Sequence, residues 1–114
     1  MAPEVPFPRP IRWVALRADE AERVIRERAA DTGNVIISVH AFDRVEERTI
    51  LTEDVYWILR KGYVEGQPIF EDGEWKVVVV KRMPGGREAG AVTLIVEAEQ
   101  TIFVKTVEWM DWNR

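Results

Sequence analysis

The sequence predicts an α+β fold, with two to three N-terminal helices packed on a four-stranded antiparallel sheet of meander order. Three observations predict it. Before Gly62 apolar residues recur at helical spacing, and after Gly62 the apolar period changes to two. Asp72-Gly73 is a strong hairpin signal, because both central positions of the favoured two-residue turn need positive φ. The strand-like runs that follow one another are joined by short links, which makes sequential neighbours pair. At 114 residues and 46% apolar content the chain is long enough to bury a real core. Residues 11–114 are therefore expected to form a single α+β domain.

Each element has its own justification. Four of the six prolines fall in residues 1–10, which read as an extended arm of polyproline character. Residues 11–16 fit either a short strand or the approach to a helix. Residues 19–30 read as a helix, with Ala21, Val24, Ile25 and Ala29 on one side, acidic residues leading and Arg26 and Arg28 closing. Gly33 is suited to a left-handed cap after it. The run Val35-Ile-Ile-Ser-Val39 fits an edge strand or an extended lead-in, with Ser38 as N-cap of a helix over residues 39–48. Thr52 is read as the cap of a further helix, residues 53–61, with Val55, Ile58 and Leu59 as its buried stripe and Gly62 as its stop.

The sheet follows. Residues 63–64 and 69–71 read as a first strand, irregular at Gly66-Gln-Pro68. Residues 75–83 form a second, whose unbroken valines suggest a central strand buried on both faces. Residues 84–90 are expected to be loop, 92–97 a third strand and 101–109 a fourth.

Composition excludes several function classes. With no cysteine the chain has no disulfides, no thiolate metal site and no thiol nucleophile. No apolar run approaches the roughly 18–20 residues that cross a bilayer. The N-terminus lacks the pattern of a signal peptide, so no membrane partner and a cytoplasmic location are expected. The net charge of −4 lacks the basic footprint of a general nucleic-acid binder, so any RNA contact must rest on a local basic patch.

Such a patch centres on His40, the only histidine. With His40 at 0° on a helical wheel, Arg44 falls at about 40° and Arg48 at about 80°, while Ala41, Phe42 and Val45 span about 100–200°. His40 thus lies with the arginines, away from the core stripe. Two readings fit that geometry: a solvated polar face, or a site for an anion, since arginine offers phosphate a bidentate fork. The like-charged pair Arg44 and Arg48 at i,i+4 is mildly unfavourable in a face with no ligand. His40, Asp43 and Glu47 make a poor transition-metal set, so neither metal nor cofactor is expected. Carboxylates at Glu71, Asp72 and Glu74 read as solvated turn residues. Trp75, Trp109 and Trp112 suit packing or base stacking, and the tryptophans of the C-terminus suit contact with a partner or a second copy in a homodimer.

The stretch His40-Ala-Phe-Asp-Arg-Val-Glu-Glu-Arg-Thr-Ile-Leu-Thr-Glu-Asp-Val55, followed by Ile58-Leu-Arg-Lys-Gly62, resembles the domain-of-unknown-function family 4258. The match lies at His40, Ala41, Arg44, Arg48, Ile50, Asp54, Val55 and Gly62. Thr49 stands where the family usually has glycine, and Val45 where methionine is common. The resemblance covers roughly residues 36–109 and implies a fold similar to the barnase and RelE-like group. It also implies a metal-independent endoribonuclease, the toxin of a toxin–antitoxin pair, with RNA as substrate and a cognate antitoxin protein as partner. On that reading His40, Arg44 and Arg48 are the catalytic group. Lys76, Lys81, Arg82 and Lys105 on the sheet are substrate-binding candidates, with Tyr63 a weaker one. A non-enzymatic protein-binding module of the same fold is the alternative.

Overall fold

A computed structural model describes residues 10–41, 43 and 50–110. After a single 3-10 turn at Trp13–Ala15, helix α1 spans Ala18–Ala29. Ala21, Val24, Ile25 and Ala29 are buried on one stripe, as their spacing predicts. Its start is held by Glu20, whose carboxylate accepts the backbone N–H groups of Arg17 at 2.9 Å and Arg12 at 3.2 Å. Its end departs from expectation. Gly33 is not in the left-handed region. Instead the Asp31 carboxylate accepts the Gly33 N–H at 2.8 Å, and the Asn34 side-chain amide donates to the Arg28 carbonyl at 3.0 Å. A side chain thus satisfies a terminal carbonyl that a glycine cap would otherwise have served.

Helix α2 spans Thr52–Lys61 and buries Val55, Ile58 and Leu59. Its cap is one residue earlier than the sequence suggests. The Asp54 carboxylate accepts the Leu51 N–H at 3.0 Å, so Leu51 and not Thr52 holds the N-cap position. Gly62 ends the helix for reasons of space: a Cβ there would lie 2.5 Å from the Ile58 carbonyl oxygen and 2.6 Å from that of Val80.

The sheet has five strands and is mixed, which corrects the expected four-stranded antiparallel meander. They are β1 (Val35–Ile37), β2 (Tyr63–Glu71), β3 (Glu74–Arg82), β4 (Glu88–Ile95) and β5 (Ile102–Trp109), in the order β1-β5-β4-β3-β2. Strands β2 to β5 do form the antiparallel meander. The addition is β1, which runs parallel to β5 with Val35 opposite Ile102. Its partner is remote in sequence, so the preference for sequential pairing gives no hint of it. The β2–β3 hairpin turns as expected, with φ of 52° at Asp72 and 81° at Gly73. Pro68 is tolerated because β2 is an edge strand, broken in register between Glu65 and Ile69.

Strand β4 begins four residues before the expected start. Glu88, Ala89, Gly90 and Ala91 pair with Arg82, Lys81, Val80 and Val79. Small residues have low strand propensity, but here they sit in close quarters: Ala89 and Ala91 are fully buried, and a Cβ on Gly90 would require the Met110 side chain to shift. Both helices pack on one face of the sheet. Ile25, Ile58, Leu59, Val77, Val79, Ile95, Ile102, Val104 and Val107 make up most of that core. Thr93 is buried among them and donates its hydroxyl to the Val77 carbonyl at 2.8 Å, so no lone polar atom results. The other face is only partly covered. Across it Ile36, Phe103, Leu94, Lys76 and Ile69 form one register row, with Ile36, Phe103 and Ile69 exposed. Of the valines of β3, Val77 and Val79 lie in the helix-side core, while on the other face Val80 is buried and Val78 half-buried.

Candidate functional site

His40 stands in the first turn of the helical segment that follows β1. Ser38 caps that turn, as the sequence predicts, by accepting the Ala41 N–H at 3.0 Å. The same hydroxyl donates to the Lys105 carbonyl at 3.0 Å, and the Ser38 N–H donates to the Val104 carbonyl at 3.1 Å. These three bonds fix the start of the helix to β5. The bond to Lys105 is available because β5 carries a bulge. Thr93 opposes Val104 and Val92 opposes Thr106, which leaves Lys105 as the extra residue. Ala41 is fully buried in the core, and its neighbour His40 is exposed. Arg44 and Arg48 lie outside the described residues, as do Glu47 and Trp112.

The four sheet cations do not form one cluster. Lys76 sits mid-row on the open face, 3.8 Å from the Glu71 carboxylate. Lys81 turns to the helix side, its ammonium 4.8 Å from the centre of the Trp57 ring and donating to the Arg82 carbonyl at 3.1 Å. Arg82 is exposed at the far end of β3, opposite Glu88. Lys105 alone has its backbone joined to the residue that caps the His40 helix. Tyr63 is on the edge strand, its hydroxyl donating to Glu88 at 3.1 Å. Trp109 packs against the core and lies under the Arg87 guanidinium at 4.2 Å. Among the described residues no group of three or more carboxylates and histidines could hold a metal ion. None of the described helices is long and apolar enough to cross a membrane.

Sequence reasoning missed an aromatic cleft at the turn end of the β2–β3 hairpin. A cleft of about 520 Å³ is lined by Trp13, Val14, Phe70, Gly73, Trp75 and residues 96–98. One of its contacts was legible: a two-residue turn at Asp72-Gly73 sets Phe70 opposite Trp75, and their ring centres are 5.1 Å apart. The other wall comes from segments distant in sequence. The Trp75 indole N–H donates to the Trp13 carbonyl at 3.0 Å. The Arg28 guanidinium lies 5.4 Å from the centre of the Trp13 ring and donates to the carbonyls of Val96 at 2.9 Å and Glu97 at 3.2 Å. Burial pulls the Arg28 guanidinium below its ordinary value, with Glu99 and Glu27 acting the other way.

A second concavity, lined by Pro10, Arg12, Arg17, Asp19, Glu20 and Arg23, surrounds the start of α1. Its carboxylates are used locally. The Arg17 guanidinium bonds to Asp19 at 3.0 Å and holds that carboxyl below the usual range. The N–H of Arg17, followed by that of Arg12, does the same for Glu20. No protein-family profile, curated protein or solved structure matches this chain.

Proposed function

We propose that this protein is a metal-independent endoribonuclease of toxin type, with His40 as its acid–base residue and a cognate antitoxin protein as its partner. One observation carries the reading: an exposed histidine is held to the sheet, through Ser38, at a bulge whose extra residue is the exposed Lys105. A proton-transfer group and a cation are thereby joined to one rigid piece of backbone. The motif resemblance around His40, Arg44 and Arg48 points the same way.

The chemistry needs two proton transfers and charge stabilisation. A base takes the proton of a ribose 2′-hydroxyl, and the oxygen attacks the adjacent phosphorus. The 5′-oxygen leaves with a proton, and a 2′,3′-cyclic phosphate remains. His40 serves one of these transfers. Lys105, with Arg44 and Arg48, would stabilise charge on the phosphoryl oxygens. Lys76 and Lys81 are less suited, being engaged with Glu71 and Trp57. The test is incubation of purified protein with RNA in the presence of a chelator. Cleavage to 2′,3′-cyclic phosphate ends is expected, and His40→Ala should abolish it. Intact RNA across a range of pH and salt, with growth unaffected by expression, would sink the proposal.

A second reading has its own support. The open sheet face exposes Ile36, Tyr63, Ile69 and Phe103, and the acidic balance of the chain disfavours nucleic acid. On this reading the fold is a protein-binding module without catalysis. It predicts a retained protein partner whose binding is lost in Phe103→Glu, and an RNA pool left intact.

A further inference from the structure

We infer that this chain forms a homodimer in which the open sheet faces of two copies pack on each other, related by a two-fold axis that runs along β4. The inference does not rest on the ribonuclease reading. It shares its face with the protein-binding reading and names a second copy of the chain as the occupant.

The strand order makes the face symmetric about its middle. Strand β4 is third of five, with β5 and β1 on one side and β3 and β2 on the other. One register row crosses all five: Ile36, Phe103, Leu94, Lys76 and Ile69. A two-fold axis along β4 folds that row onto itself. Leu94 then meets its own counterpart, Ile36 meets Ile69 of the second copy, and the Phe103 ring meets the Lys76 side chain. Apolar faces apolar at the centre and at both edges, and the remaining pair sets an aliphatic stem and a cation on an aromatic ring. Lys76 keeps its carboxylate partner Glu71, 3.8 Å away. In the next row Val92 meets its counterpart and Thr106 meets Val78. A two-fold interface needs a surface complementary to itself, a condition that a surface for a foreign partner is not required to meet.

Exposure and size fit a dimer. Ile36 is 47% exposed, Phe103 37% and Ile69 50%, and with half-buried Leu94, Val92 and Val78 they make an apolar patch across the sheet. The far end of the face is closed by the chain itself: Met110 lies over Gly90, and Val80 beside it on β3 is fully buried. Five strands about 4.8 Å apart and eight residues of about 3.3 Å each give a footprint of about 600 Å². That is the scale of a standard interface, which buries about 800 Å² of accessible surface per partner. Sheets packed face to face cross at about 30°, which shifts the edge pairs by about 5 Å and leaves Ile36 within side-chain reach of Ile69. RNA suits this face poorly. Glu65, Glu71, Glu88 and Glu108 share it with Lys76 and Arg82, so its carboxylates outnumber its cations.

The experiment is analytical ultracentrifugation of the purified full chain, from micromolar to several-hundred-micromolar concentration. A species of twice the 13.2 kDa chain mass is expected. Leu94→Lys sets two ammonium groups against each other at the axis and should weaken dimerisation at least about a hundredfold, with the far-UV circular dichroism unchanged. Ile36→Lys and Ile69→Glu, both at exposed edge positions, should each weaken it at least about tenfold. Mixed in equal amounts, these two variants should form a mixed dimer more tightly than either associates alone, because the new ammonium and the new carboxylate face each other across the axis. A monomer at every concentration overturns the proposal; if that monomer still retains a foreign protein through Phe103, the protein-binding reading stands and only this one fails. A dimer undiminished by Leu94→Lys overturns it by placing the interface elsewhere. A mixture no tighter than its components overturns the two-fold pairing.

Discussion

Two regions of this molecule present chemistry to solvent, and they are assembled in opposite ways. The Trp13 cleft draws on the segment before α1, the β2–β3 hairpin and the β4–β5 link, tied by the buried Arg28 and by one indole hydrogen bond. The His40 turn depends on one hydroxyl, that of Ser38, which bonds at once to its own helix and to the bulge of β5. The first is lined mainly by aromatic and apolar residues; the second joins a histidine to a lysine through the backbone. The difference teaches that, in a chain of net charge −4, a histidine and a lysine can still be joined through one short stretch of bonded backbone. It also separates the effects of mutation: changes at one region should leave the other working.

The largest effect is expected at Arg28. Arg28→Ala removes two charge-assisted hydrogen bonds and the cation over Trp13, leaving two carbonyls to find new partners. It should cost about 3 kcal/mol in urea unfolding, while RNA cleavage per folded molecule is retained. Ser38→Ala comes next, at about 1–2 kcal/mol, because a cap and a tie to β5 are lost together. This variant should lower RNA cleavage per folded molecule, unlike Arg28→Ala. Trp75→Phe keeps the ring contact with Phe70 but removes the indole donor, for about 1 kcal/mol by thermal unfolding.

Smaller effects lie at the start of α1. Two backbone N–H groups hold the Glu20 carboxyl below its ordinary value, so its contribution is fully present above the unfolded glutamate pKa of about 4.3. It is lost as pH falls through the lower folded value. Glu20→Gln should therefore lower stability near neutrality, converge on the parent chain at low pH, and so flatten the acid limb of the stability profile. Arg17→Ala breaks an exposed pair with Asp19 and should leave the unfolding midpoint unchanged within error.

How much of this was legible in the sequence follows from the range of the interactions. Local chemistry was readable: the Asp72-Gly73 turn, the Ser38 cap, the buried stripes of α1 and α2, and the exposure of His40 beside buried Ala41. What depends on distant partners was not. Val35-Ile-Ile pairs with a strand that begins at Ile102, and nothing in the intervening sequence marks the match. Glu88–Ala91 looks like loop because small residues are poor strand formers, yet Ala89 and Ala91 are fully buried in the sheet and Gly90 packs against the Met110 side chain. The bulge at Lys105 has no glycine, and its one trace in the sequence is the polar pair Lys105-Thr106, which sets buried Val107 three residues after buried Val104 instead of two. The cleft was invisible for the same reason: Trp13, Arg28 and Glu97 meet only after the helices and the sheet have packed.

The central claim is that His40, held at the β5 bulge, performs proton transfer in RNA cleavage. The most direct measurement is the rate of 2′,3′-cyclic phosphate formation on a defined RNA, in chelator, by the full chain and by His40→Ala at matched folded concentration. Cleavage by the parent chain that falls at least about a hundredfold in His40→Ala is the predicted result. Equal rates in the two proteins, or intact RNA with both, would contradict it.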